Sequence, residues 1–174
     1  MPCMSPKQHD HFMTQALQEA RKAAAADEVP AGCIIINTAT ARERPVGAVI
    51  GRAHNQTELL KDPTAHAEMI AITQAASGIG DWRLTDTILY VTKEPCPMCA
   101  GGIVHCRIKR VVFGCAAPKD GAGGSLLNIL QHPSLNHRCE ITTGIREAEC
   151  AGLLKAFFIE ARERSKTNEA TPGS

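Results

Sequence analysis

Two short stretches carry residues whose types and spacing suit metal-assisted hydrolysis: His66-Ala67-Glu68 and Pro95-Cys96-Pro97-Met98-Cys99. Zinc favours Cys sulfur and His nitrogen, and a catalytic zinc keeps three protein ligands with a fourth position open for water. His66, Cys96 and Cys99 make up such a set, enough for one Zn2+ per subunit. A site that only braced the fold would close the fourth position with another Cys or His and would have no use for a nearby carboxylate. Glu68, two residues after a ligand, is spaced to reach a water on the open position and carry its proton to a substrate. A lone Cys-x-x-Cys also serves as half of a structural zinc site or as a redox pair. The redox pair belongs after the first strand of a thioredoxin-like unit, whereas this one follows the third.

The elements around these motifs must hold them at a common point. Both motifs open predicted helices, directly after a strand or a loop. A helix start favours negative charge and lowers a thiol pKa, which suits Cys96 and Cys99 as thiolates. Pro97 fits the first helical turn, where its missing N–H costs nothing. Upstream, Phe12, Met13, Ala16, Leu17, Ala20, Ala23 and Ala24 recur at helical spacing and mark a first helix ending before Val29-Pro30. Strands are expected at 31–37, 45–53, 86–92, 110–114 and around Cys139–Gly144, with the first two forming a hairpin across the turn-like TATARER. Helices are expected over about 65–76, from Pro97, briefly near Leu126–Leu130, and over about 145–164. Repeated strand–helix–strand units predict a three-layer α/β/α sandwich on a five-stranded mixed sheet.

Composition bounds the rest. The chain has 174 residues, 44% of them hydrophobic but only 3% aromatic, so its single core must be built from Ala, Val, Ile and Leu. Residues 1–8 and 165–174 read as disordered polar tails around one domain at 9–164. No apolar run is long enough to cross a bilayer, and MPCMSPKQHDHF lacks the order of a secretory signal, so a cytoplasmic protein without a membrane partner is expected. Eight Cys in that setting imply reduced thiols. Cys33, Cys106, Cys115, Cys139 and Cys150 read as core packing, and Cys3 as a tail thiol. A net charge of +1 excludes a broadly cationic nucleic-acid binder, so any RNA contact must use a local patch.

The pairing of H-x-E with P-C-x-x-C is the pattern of zinc-dependent nucleobase deaminases, so 9–164 reads as one zinc-dependent deaminase domain. DPTAHAEMIAI (62–72), DWRLTDTILYVTKEPCPMCAGGIVHCRIKRVVFG (81–114) and GSLLNILQHPSLNHRCEITTGI (124–145) further resemble the bacterial tRNA adenosine deaminases of the cytidine deaminase superfamily. So do Glu28-Val29-Pro30 and a final helix containing Phe157-Phe158. That resemblance implies the cytidine deaminase type of sandwich, a homodimer and no organic cofactor. It implies conversion of adenosine to inosine at the first anticodon position of tRNA, with release of ammonia. Asn55 matches the family position that hydrogen-bonds the purine, and Ala67 the one whose backbone N–H does likewise. Arg83, Lys119, Asn136 and Arg162 match positions that contact the anticodon loop. The chain departs from the pattern at Ala117, where the family commonly has an acidic residue. A guanine- or cytosine-type deaminase of a free base or nucleoside would share EPCPMC and need no basic surface. A catalytically dead zinc-stabilised subunit would be marked by loss of Glu68, which is present.

Overall fold

The computed structural model describes residues 4–39 and 45–169. Cys3, most of TATARER and the last residues of the chain lie outside it. Strands β1 (Gly32–Asn37), β2 (Val49–His54), β3 (Thr87–Lys93), β4 (Arg110–Cys115) and β5 (Glu140–Thr143) form one sheet in the order β2-β1-β3-β4-β5. β1 pairs antiparallel with β2 and β3, while β3, β4 and β5 run parallel. The sheet is therefore mixed and five-stranded, as the strand–helix alternation predicts.

Helices α1 (Pro6–Ala25) and α5 (Glu147–Glu169) cover one face, and α3 (Ala67–Ile79) and α4 (Pro97–His105) the other. The period-2 alternation of the strands decides which side chains meet which pair. Ile34, Ile36, Ile88, Tyr90 and Val112 pack with Phe12, Met13, Ala16 and Leu17 of α1 and with Cys150 of α5. Cys33, Ile35, Leu89, Val91, Val111 and Phe113 pack with Ala67, Ala71 and Ala75 of α3 and with Ala100 and Ile103 of α4. The central strands are buried on both faces, which is why they read as continuous apolar runs. Each fully buried Ile or Leu contributes roughly 1.5–3 kcal/mol.

Two glycines let helices lie directly on the sheet. A Cβ at Gly32 would overlap the Ala16 carbonyl of α1, and one at Gly51 would overlap the Ala71 carbonyl of α3. α3 is thus seated on β2 by backbone contact, and that contact fixes where its first turn lies.

The element limits differ from the sequence expectation in several places, one of them β2, which begins at Val49 because residues 45–48 form a turn ahead of it. α1 opens at Pro6, inside the stretch read as a tail, because Ser5 and Gln8 form a reciprocal capping box. α5 continues to Glu169, past the boundary placed at 164. A short helix, α2 (Thr57–Leu60), follows β2 without any apolar periodicity to announce it. The helix expected near Leu126–Leu130 is a run of turns with an isolated bridge between Gly123 and Asn128. There the Gly121 carbonyl accepts from Leu126 and Leu127, and Glu94 takes the N–H groups of Gly123 and Ser125, leaving no helical ladder. No described helix is long and apolar enough to cross a membrane.

Candidate active site

The chemistry-bearing residues sit on two helix starts. His66 is the N-cap of α3, with extended backbone, and Glu68 lies in that helix's first turn. Cys96 is the N-cap of α4, Pro97 occupies its first turn, and Cys99 follows within the same turn. β3 delivers Cys96 to this point, since Glu94-Pro95 runs straight from its C-terminal end, the usual place for a site in a sheet with parallel strands.

The His66 Nδ1 atom lies 3.7 Å from Cys96 Sγ and 3.5 Å from Cys99 Sγ. All three donor atoms fall within 4.8 Å of one another. A tetrahedral zinc with ordinary Zn–S and Zn–N bonds separates its sulfur and nitrogen ligands by about 3.5 Å, so the donor set and its spacing fit that ion. The thiols are polarised toward one another. Cys96 is held down at about 4 by the bond it receives from Cys99, against burial, and by His66. Cys99, the donor of that bond and itself buried, is pushed up correspondingly. The bond with Cys96 raises His66.

Glu68 is 5% exposed, and burial raises its carboxyl above the usual range. It borders a cavity of about 240 Å³ together with His66, Cys96, Asn55 and Lys93. Drug-sized pockets occupy roughly 300–1,000 Å³, so this one has room for a single heterocycle. A polar wall, a buried carboxyl and an acidified thiol thus surround a space the size of one base.

The other predicted residues divide into two groups. Asn55, just after β2, is buried and lines the cavity. Ala67 is the first residue of α3, where a backbone N–H has no acceptor within its own helix. Lys119 and Arg162 lie outside the cavity, along an adjoining groove of about 780 Å³ that also includes Ala117, Pro118, Asp120 and Phe158. Arg83 stands apart, its guanidinium 4.1 Å from the centre of the Trp82 ring and 3.7 Å from Asp81. Asn136 is exposed and accepts a 2.6 Å bond from Arg107. Ala117, in place of an acidic residue, contributes its backbone N–H to Glu94 Oε2 at 2.9 Å.

Several further residues around the site were assigned no role from the sequence. Glu28 and Glu94 are buried carboxylates, each one or two residues before a proline. Burial pushes both upward, yet their N–H and hydroxyl donors hold both below the usual carboxylate range. Glu94 accepts from Ala117, Gly123 and Ser125, and so ties the groove loop to the turn that carries Cys96. Lys93 and Asp120 form a 2.6 Å ion pair between cavity and groove, and Phe158 of α5 borders both. An acidic residue one or two positions before a proline at the edge of an apolar run is the signal that would have singled out both glutamates. The remaining described cysteines are buried, with Cys106 pushed up to about 11 and Cys139 and Cys150 to about 12, which suits packing.

The sequence model of the MafB19-like deaminases matches residues 7–162. A tRNA-specific adenosine deaminase of Bacillus subtilis is 44% identical over 159 residues, which is 91% of this chain and 94% of that one. A structure solved in work on A-to-I editing by tRNA:A34 deaminases at the wobble position superposes with a TM-score of 0.76 at 41% identity, covering 83% of this chain and 99% of the other. A guanine deaminase of Bacillus subtilis superposes with a TM-score of 0.55 at 35% identity, over 62% of this chain and 64% of the other.

Proposed function

The chain belongs to the tRNA-specific adenosine deaminases, and from that premise we propose that it hydrolyses the wobble adenosine of tRNA to inosine and ammonia. The observation that carries the chemistry is the meeting of His66, Cys96 and Cys99 beside buried Glu68 on a base-sized cavity. The identity over nearly the whole chain to tRNA-specific relatives carries the substrate.

His66, Cys96 and Cys99 would hold one zinc per subunit, and the ion would supply Lewis acidity and lower the pKa of water at the site. Glu68 takes a proton as the water oxygen bonds to C6 of the purine, and passes it to the ring nitrogen. A second proton follows the same carboxylate to the exocyclic amine, the C6–N bond breaks, and ammonia leaves. Its burial suits the first half of this cycle, because a raised carboxyl is a stronger base and accepts the water's proton more readily than an exposed glutamate would. Water and one metal suffice, so no organic cofactor enters. Asn55 and the Ala67 N–H hold the base. A base from a single-stranded loop can be splayed into such a cavity, while Arg83, Lys119, Asn136 and Arg162 meet the surrounding anticodon loop. The protein acts as a homodimer in the cytoplasm.

The deciding experiment gives the zinc-loaded protein an anticodon stem-loop with adenosine at the first anticodon position and, separately, free guanine. Inosine from the stem-loop is the expected product. Xanthine without inosine would replace this reading with that of a free-base deaminase.

A further inference from the structure

A second polar cluster borders the cavity, and the proton transfers above make no use of it. Glu28, in the turn before β1, is 1% exposed. Its Oε1 accepts from the Leu59 N–H at 2.7 Å, and its Oε2 accepts from the Thr57 hydroxyl at 3.1 Å and from Asn55 Nδ2 at 3.2 Å. The second hydrogen on Asn55 Nδ2 goes to Thr57 Oγ1 at 3.0 Å. A carboxylate only accepts hydrogen bonds, so it can face only the NH2 end of an amide. Turning Asn55 over would set its Oδ1 against a buried anion. Glu28 therefore decides the orientation of Asn55 and, with Thr57, consumes both of its hydrogens. Asn55 lines the cavity with His66, Glu68 and Cys96, and the one group it has left for a ligand is the acceptor Oδ1.

We propose that Glu28 is a positioning residue that sets substrate specificity: it locks Asn55 acceptor-outward, so the cavity selects a heterocycle presenting an N–H at that wall. The exocyclic amine of an adenine is such a group, and a carbonyl or bare ring nitrogen is not. This rests on the reading of the cavity as a base pocket. Glu28→Gln then has a specific consequence. The Leu59 N–H still demands an acceptor at one end of the new side chain, which turns the introduced NH2 toward Asn55. Two NH2 groups cannot face each other, so Asn55 turns over and offers a donor to the substrate. Adding Asn55→Asp removes that conflict. The introduced amide then donates to one oxygen of the new carboxylate, and the other oxygen restores an acceptor at the wall with the local charge unchanged.

The test compares wild type, Glu28→Gln and Glu28→Gln/Asn55→Asp, with two readouts. In 15N-labelled protein the Asn55 side-chain NH2 should exchange with solvent slowly in the wild type and much faster in Glu28→Gln. On the adenosine stem-loop, kcat/KM should fall roughly tenfold to a hundredfold in the single variant, the range for leaving one buried hydrogen-bonding group opposed. The double variant should recover most of that loss, which a merely structural role for Glu28 would not produce. Equally slow exchange in Glu28→Gln, or a double variant no better than the single one, overturns the proposal. Should Glu28→Gln fail to fold, Thr57→Val serves in its place, and one Asn55 hydrogen should then exchange faster while the other stays protected. A wild type inactive on the stem-loop would count against the base-pocket reading alone, since the amide exchange still decides the orientation of Asn55.

Discussion

The interior of the site and its rim are built on opposite plans. His66, Glu68, Cys96 and Cys99 are set by two helix starts, packed against the sheet, with the three donor atoms inside 4.8 Å. Arg83, Lys119, Asn136 and Arg162 are exposed and come from four separate segments. Most of them rest on a local partner: Arg83 on Trp82, Asn136 on Arg107, Arg162 on the Phe158 carbonyl at 3.0 Å. Bond-making needs atoms held to a fraction of an ångström, which only packing and backbone can supply. Holding a flexible RNA loop needs charge that can adjust, and surface side chains supply that. The difference predicts that single changes inside cost all of the activity, and single changes on the rim cost a part of it.

Loss of a ligand tests the first half most severely. Cys99→Ala should abolish both turnover and stoichiometric zinc, measured by metal analysis of the purified protein, and should lower thermal stability because metal binding and folding are linked. A folded, zinc-replete variant would remove Cys99 from the ligand set. Glu68→Gln is next. Zinc and fold should persist while kcat drops by about 10²–10⁴, the usual worth of a positioned proton carrier. Activity near wild type would show that the proton travels by another route.

Those two regions were also unequally legible in the sequence. Ligand types are few and their spacing is stereotyped, so His66, Cys96, Cys99 and Glu68 stand out without coordinates. The rim rested on resemblance, since an Arg or Lys on a loop looks like any solvated residue. Helices and strands followed apolar periodicity wherever packing forms them, as in α1 and β3. Two of the misses, α2 and the turns near Leu126–Leu130, have a common cause, which is a buried carboxylate organising a loop. Glu28 gathers the N–H of Leu59 and so helps to form α2, which has no amphipathic pattern. Glu94 takes the donors of Gly123 and Ser125 and so turns an expected helix into a set of turns. Neither effect is visible in local composition, because donor and acceptor lie about 30 residues apart.

The interior owes its accuracy to how α3 sits on β2, so a packing change there should reach the chemistry. Gly51→Ala places a methyl against the Ala71 carbonyl. Overpacking of this kind costs about 1–3 kcal/mol, which for a chain of this size lowers Tm by roughly 2–4 °C per kcal/mol. Both Tm and kcat should fall while zinc is retained, because the helix start bearing His66 and Glu68 is displaced. A fall in Tm with unchanged kcat would mean that α3 slides without moving its first turn, and the interior would then be less tightly determined than its contacts imply.

Glu94 joins the two regions, and pH separates its contribution. Its carboxyl is lower in the folded protein than in the unfolded chain. The stability it adds is therefore fully present above the ordinary carboxylate pKa and is lost as pH falls through the folded value. Glu94→Gln should be less stable than wild type at neutral pH by roughly 1.5–3 kcal/mol, the worth of a hydrogen bond to a charged group. In urea titrations the two proteins should converge in acid. A gap that persists at low pH would assign the loss to side-chain shape instead of charge.

The smallest effect belongs to the rim. Arg162 lies along the groove beside Lys119, bonded among the described residues only to its own helix, so its removal should leave zinc, Tm and kcat essentially unaltered. KM for the stem-loop should rise several-fold. More telling is the dependence of KM on salt: freeing one phosphate of a single strand from its cation flattens the plot of log affinity against log salt by about 0.7. Arg162→Ala should show that flattening, whereas Glu68→Gln should bind the stem-loop with the wild-type slope. An unchanged slope in Arg162→Ala would take this arginine off the RNA path and leave the groove to Lys119. A large fall in kcat would place it in the interior class, and the division between packed chemistry and adjustable charge would fail at that residue.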